Sequence, residues 1–305
     1  MIPTVGELFK VDEQTEEGGQ TMNHRGSLSA TAGDAGRYAG HSTGHVRRAL
    51  VDEPAGSVHQ EVVVAELEPR GTVDSHLHAF EEAFYVLEGS LVLECAGSTE
   101  QLAADDYVFV ERGAVHALRN ESGASARWFE VSAPQPGGAL DDTVFVEAHA
   151  LPEGVERPYR TGHFDPAGLP EPSATIGLAG FGAANVGGAA LRILVGPDTG
   201  ASQLNLMVVQ YAPGGFITRH DHAFEEAFFF VEGEIEAELD GEVHTLRAGD
   251  YCWSAVKSMH ALANRSDGIV RWLETQVPQP PSRHQARFTA DWERFLGAES
   301  GSQGG

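Results

Sequence analysis

Residues 76–89 read HLHAFEEAFYVLEG, and residues 220–233 read HDHAFEEAFFFVEG. Each copy has two histidines two apart, a glutamate four residues later and a glycine seven beyond that. Each is followed at one fixed distance by a further histidine and an asparagine, His116 with Asn120 and His260 with Asn264. All of these positions recur after 144 residues: His76 as His220, Glu82 as Glu226, His116 as His260. Extended outward, the same shift aligns 46–136 with 190–280 without a gap, and about a third of the positions are identical. Leu50/Leu194, Gly71/Gly215, Asp106/Asp250, Tyr107/Tyr251, Arg127/Arg271 and Trp128/Trp272 are among them. A repeat this long is a duplicated domain, since solenoid units span roughly 20–50 residues.

Within each copy the pattern is all-β. β-branched runs such as EVVVAEL and YVFV are separated by turn signals, including Pro-Ala-Gly at 54–56 and Pro-Arg-Gly at 69–71. Short strands linked by turns at this spacing form a sandwich or barrel. The chain divides into an N-terminal arm (1–45), a first barrel (46–136), a connector (137–189), a second barrel (190–281) and a C-terminal helix and tail (282–305). The arm is polar, with an ordered piece expected at Val5–Phe9, and its histidines His24, His41 and His45 read as solvent-exposed. In the connector, TVFVEA at 143–148 reads as a strand, and GHFDP at 162–166 as a turn packed on a barrel.

The chain has 305 residues, with 20 basic against 45 acidic side chains and a net charge of −25. Such a chain repels phosphate backbones and anionic membranes, so neither nucleic acid nor membrane is an expected partner. No run of eighteen apolar residues is present, and the first residues lack a secretory leader pattern. The two cysteines, Cys95 and Cys252, form no disulfide framework, and a reduced cytoplasm is the expected location.

Along a strand, residues i and i+2 share a face, so His76 with His78, and His220 with His222, point the same way. Glu82 and Glu226 follow a turn onto a neighbouring strand, and His116 and His260 return beside the first. Four side chains per barrel converge on the interior: His76, His78, Glu82 and His116, then His220, His222, Glu226 and His260. Imidazoles with one carboxylate suit a divalent transition metal, up to two per chain. Iron(II) or manganese(II) fits best; nickel, copper, cobalt and zinc also accept these donors. Four protein ligands on a six-coordinate metal leave two positions for water, O₂ or a chelating substrate. Glu81 and Glu225 alternate away from this cluster, toward the rim or surface. Lys257 reads as a solvated turn residue, and the two Arg-Trp pairs as closing the barrels. Phe228, Phe230, Tyr251 and Trp253 read as core residues, some of them candidates for the wall of a pocket.

These motifs resemble the cupin signature. In cupins, a glycine precedes His-x-His, followed by a glutamate and a second glycine; a later motif carries Pro, Gly, His and Asn. Here four residues separate Gly71 from His76 and Gly215 from His220, where the signature has five. Glu111 replaces the usual proline, and Ala255 and Lys257 replace proline and glycine in the second copy. The resemblance implies a bicupin: two tandem jelly-roll type barrels, each with a metal pocket. VVQYAPGG at 208–215, FFFVEGEIEAELDGE at 228–242 and AGDYCWSAVKSMHA at 248–261 are also similar to the C-terminal barrel of (S)-ureidoglycine aminohydrolases. Those are manganese bicupins that release ammonia, and their ligand positions hold Glu, His, His and Gln rather than the set present here.

Three functions follow as expectations. The first is a metal-dependent oxidoreductase, a dioxygenase-type enzyme using iron or manganese on a small metal-chelating organic substrate. The second is a hydrolase of an amide or ureido compound, and the third a non-enzymatic metal or small-molecule binding protein. The second barrel is the expected seat of catalysis, and assembly into a homo-oligomer is left open.

Overall fold

The computed structural model describes residues 22–137, 142–148, 150–152, 154–169, 185–281 and 285–289. Each repeat forms a ten-stranded antiparallel sheet, curled so that one face is interior. No helix among the described residues is long and apolar enough to cross a membrane.

Each barrel is built on one long strand, Glu61–His78 in the first and Asn205–His222 in the second. The turn signal Pro69-Arg70-Gly71 therefore does not end a strand, as its sequence suggests. It bends one. Arg70 takes φ +65°, and Gly71 lies so close to Leu67 and the Thr43 carbonyl that an added Cβ would meet them at 2.7 and 2.8 Å. Before the bend, Glu61–Leu67 pairs with Ala126–Ser132; beyond it, Thr72–His76 pairs with His116–Arg119. The bend thus carries the histidine-bearing end of the strand around the barrel. Gly215 repeats the crowding: a Cβ added there would meet the Gly188 carbonyl at 2.6 Å, which explains why this glycine persists in both copies.

The edges are exchanged along the chain. Asn23–Ser27 pairs with Asp250–Ser254 of the second barrel, while Tyr159–His163 from the connector pairs with Asp106–Val110 of the first. NHRGS has no apolar alternation, so the arm's strand is invisible to pattern reading; its backbone pairing sustains it. Of the strand expected at 143–148, Thr143–Phe145 forms and pairs with His76–His78, while 146–148 are not strand; Ala286–Phe288 pairs likewise with His220–His222. The expected ordered piece at Val5–Phe9 lies outside the described residues. Of the expected C-terminal helix only Phe288 and Thr289 are described, and Phe288 ends a strand; the rest lies outside the described residues.

Between the barrels lies one apolar core. It combines Val64, Phe129 and Val131 of the first with Leu206, Phe229 and Trp253 of the second, and Phe129 and Phe229 stack with centroids 5.9 Å apart. Glu81 and Glu225 belong to this interface. They do face away from the histidines, but they do not reach the surface: they are 4 % and 1 % exposed. The Glu225 carboxylate accepts from Ser57 Oγ (2.6 Å), Val58 N (2.8 Å) and Trp253 Nε1 (3.3 Å). Glu81 accepts from Ser202 N and Oγ and from Gln203 N, at 2.5–3.1 Å. Each barrel thus caps a loop of the other with a buried, charge-assisted contact.

Candidate metal centres

The register brings the motif residues together. His76 lies directly opposite His116, and His220 opposite His260. Donor atoms of His220, His222, Glu226 and His260 all lie within 4.8 Å of one another, as do those of His76, His78 and His116. Glu82 joins the first cluster through Oε2, 3.2 Å from His116 Nε2 and 3.5 Å from His78 Nε2. All eight side chains are buried, at 5 % exposure or less.

Each imidazole is turned by a partner on its outer nitrogen. Nδ1 of His76 donates to the Asp74 carbonyl (2.6 Å), His116 to Ala114 (3.0 Å), His220 to Thr218 (2.9 Å), His222 to Phe224 (2.6 Å) and His260 to Ser258 (3.1 Å). A carbonyl can only accept, so these Nδ1 atoms carry the proton and Nε2 presents a lone pair inward. His78 Nδ1 sits 3.0 Å from Thr143 Oγ1. Phe80 and Phe224, the aromatics of the repeated HAFEE, stack on His78 and His222 at centroid distances of 4.3 and 4.0 Å and fix the ring planes.

The clusters fit a divalent metal on their own chemistry. His76 Nε2, His260 Nε2 and Glu82 Oε1 are buried with no hydrogen-bond partner among the described residues, which in a native interior marks a missing partner. Burial, then the neighbouring imidazoles, drives His76 well below the ordinary histidine range; His220 is lowered likewise by burial and His260. Burial pushes His78 down to about 4. These rings are neutral at pH 7, the form that binds metal. Burial would raise Glu82 and Glu226, but the adjacent imidazoles outweigh it and hold both carboxyls well below the usual range.

Around identical clusters, the two interiors differ. The second barrel contains a cavity of about 140 Å³ that ends on His220, His222, Glu226 and His260. Its walls are mainly apolar, with Val209, Phe228, Leu262 and Trp272, and one polar strip of Asn205, Glu274 and Gln276. Trp272 thus does more than close the barrel: its Nε1 donates to Glu274 Oε2 at 2.9 Å. Burial, then Glu226, raises the Glu274 carboxyl well above its usual range. Phe230 packs in the core of this barrel, and Tyr251 and Trp253 in the core between barrels.

The first barrel sets larger side chains beside its cluster. Tyr38, on the turn Gly36–Tyr38, enters the interior and brings its hydroxyl 3.4 Å from His78 Nε2. Arg47 pairs with Glu61 at 2.7 Å and Glu130 at 3.2 Å. His45 is not solvent-exposed, as its place in a polar stretch suggests, but 6 % exposed, edge-on to Tyr38 and stacked near Trp128. In the second barrel the positions of His45, Arg47 and Glu61 hold Ala189, Leu191 and Asn205. The mismatches in the internal alignment were therefore the signal for Tyr38's neighbours, which motif reading missed. Of the remaining histidines, His163 pairs with Asp106 at the surface, at 2.8 Å. Lys257 is exposed; it takes φ +69° where Gly113 takes +79°, so the turn survives the loss of the motif glycine.

Burial lowers His45 to about 4, against 6.5 for a free histidine. Between those values the unfolded chain binds a proton that the folded one refuses. This contribution to stability is therefore complete above pH 6.5 and lost as pH falls toward 4. A His45→Phe variant is expected to lose less stability over that window than the parent, measured by urea unfolding at pH 7 and pH 4.5.

Comparison with known proteins agrees with the architecture. The cupin domain family model matches twice, at residues 63–132 and 207–275. The tetracenomycin polyketide synthase protein TcmJ of Streptomyces glaucescens is 29 % identical over 150 residues, covering 48 % of this chain and 95 % of that protein. Among solved structures, a putative glyoxylate-induced protein from Pseudomonas aeruginosa superposes with a TM-score of 0.63 at 17 % identity, over 88 % of this chain and 93 % of that one. Lactobacillus farciminis oxalate decarboxylase in its formate complex gives 0.62 at 15 % identity, over 95 % and 96 %. Two matched domains in tandem, two curled sheets and two buried histidine clusters suited to metal make this chain a bicupin of the cupin superfamily.

Proposed function

We propose that the protein is a metal-dependent enzyme of the dioxygenase type, using iron(II) or manganese(II) in the second barrel on a small organic substrate that chelates the metal. The observation that carries this reading is the apolar cavity of about 140 Å³ ending on His220, His222, Glu226 and His260. That volume is about the size of a single six-membered ring. A metal held there would polarise substrate oxygens and bind O₂.

The chain's own residues do the rest. Phe228, Leu262 and Trp272 exclude water from the substrate body, which strengthens every polar contact at the metal end. Asn205 Oδ1, buried without a hydrogen-bond partner among the described residues, offers an acceptor to a hydroxyl on the substrate. The similarity to a protein named for a polyketide synthase supports substrates of polyketide type, whose oxygens on alternate carbons form two-oxygen chelates. A metal would also neutralise an enolate in a protein of net charge −25.

The test is O₂ uptake by iron- or manganese-loaded protein supplied with phenolic or 1,3-diketone compounds, with ammonia release from ureidoglycine measured in parallel. Substrate-dependent O₂ consumption is the expected result. Ammonia release without O₂ uptake would establish the hydrolase instead, and chelator binding without turnover a binding protein. Metal analysis of protein purified without added metal is expected to give about two equivalents per chain, one per cluster.

A further inference from the structure

We propose that Gln276 is a positioning residue that leaves Glu226 only one oxygen for a metal, whereas Glu82 in the first barrel offers two. The inference rests on the reading of both clusters as metal sites. Glu226 and Gln276 lie directly opposite on paired strands, so their side chains share the interior face. Gln276 Nε2 donates to Glu226 Oε1 at 2.8 Å and to Glu274 Oε1 at 3.2 Å. Asn205 Nδ2 in turn donates to Gln276 Oε1 at 3.4 Å. The other oxygen, Glu226 Oε2, lies 2.7 Å from His222 Nε2 and 3.2 Å from His260 Nε2. The carboxylate is divided, one atom turned to the imidazoles and one tied to an amide.

In the first barrel, the residue opposite Glu82 is Ser132. Its hydroxyl does not make the bond. Ser132 Oγ and Glu82 Oε1 are both buried without a hydrogen-bond partner among the described residues. A buried carboxylate oxygen left unpaired is unfavourable, so Glu82 Oε1 is free to turn to a metal. The same four ligand residues therefore leave different numbers of open positions. Three imidazoles and one oxygen leave two positions on a six-coordinate ion. Three imidazoles and two oxygens would leave one, in a barrel where the Tyr38 hydroxyl stands 3.4 Å from His78 Nε2. Only the second barrel keeps the adjacent pair that a two-oxygen chelator needs.

The probe is Mn(II)-loaded full-length protein titrated with tropolone, a single-ring two-oxygen chelator, with the Mn(II) electron paramagnetic resonance spectrum recorded alongside. The parent is expected to bind one tropolone per chain and to show two distinct Mn(II) signals. Q276S, which copies the first barrel, and Q276L, which keeps the bulk without the amide, are expected to retain both ions. Both should bind tropolone about tenfold or more weakly, and their second signal should converge on the first. The proposal is overturned if both variants keep the parent's tropolone affinity and two distinct signals. It is overturned equally if both lose the second ion, since Gln276 would then support the site rather than restrict a ligand. A parent that binds no Mn(II) would instead remove the metal reading on which the inference stands.

Discussion

His220→Gln and His260→Gln are each expected to lose one metal equivalent and all substrate turnover, whereas His76→Gln is expected to lose one equivalent and keep most of its turnover. Glutamine keeps the buried volume, so the effect reports the lost donor rather than a new cavity. Both histidines line the second-barrel cavity, with Nε2 turned inward by a carbonyl on Nδ1. Removal of an outer partner of a metal ligand typically costs about 10–100-fold in affinity, and removal of the ligand itself costs more. His76 has the same inward geometry, but Tyr38 packs edge-on against it with ring centroids 5.2 Å apart, and Tyr38 is itself packed by His45 and Arg47. The checks are metal content by elemental analysis and O₂ uptake, with far-UV circular dichroism confirming the fold. Equal loss of turnover in His76→Gln and His220→Gln would place the chemistry in both barrels or in neither.

The second large effect is on stability. Glu225→Ala is expected to lower unfolding free energy by about 2 kcal/mol or more: three donors lose this acceptor, of which Ser57 Oγ still has the Gln60 carbonyl at 2.7 Å and the other two are orphaned at about 1–3 kcal/mol each. Those donors are Ser57 Oγ, Val58 N and Trp253 Nε1. Two of the three come from the first barrel, so the damage falls on the interface and not on one barrel alone. Glu81→Ala should behave alike, because Ser202 and Gln203 lose the matching acceptor. Urea titration followed by tryptophan fluorescence measures both. A loss under 1 kcal/mol in both variants would mean that water replaces the carboxylates at the seam and that the seam is looser than its burial indicates.

The duplication was legible because identity at one constant offset is insensitive to local ambiguity. His76, His78 and His116 stand out through their recurrence, and the alternation of side chains along a strand then places them on one face. Glu81 shows where that logic stops. Alternation correctly turns it away from the histidines, but it cannot say whether the opposite face meets water or a second barrel. The strand at Asn23–Ser27 was hidden for another reason: its stability comes from backbone pairing to residues more than two hundred positions away, which leaves no trace in its own composition. The asymmetry of the two interiors was written in the alignment, in Arg47 against Leu191, Glu61 against Asn205 and Ser132 against Gln276. Identities mark what the barrels share, and the substitutions mark how they have parted.

The exchanged edge strands also impose an order on biosynthesis. The first barrel can close its edge once Tyr159–His163 has emerged from the ribosome, but Asn23–Ser27 has no partner until Asp250–Ser254 is made. At about 5–20 residues per second, that segment waits on the order of 10–50 s unpaired. A nascent chain in this state has a finished first barrel trailing a loose N-terminal ribbon. The polar character of NHRGS, which conceals it as a strand, is also what keeps it from pairing with the wrong edge in the meantime.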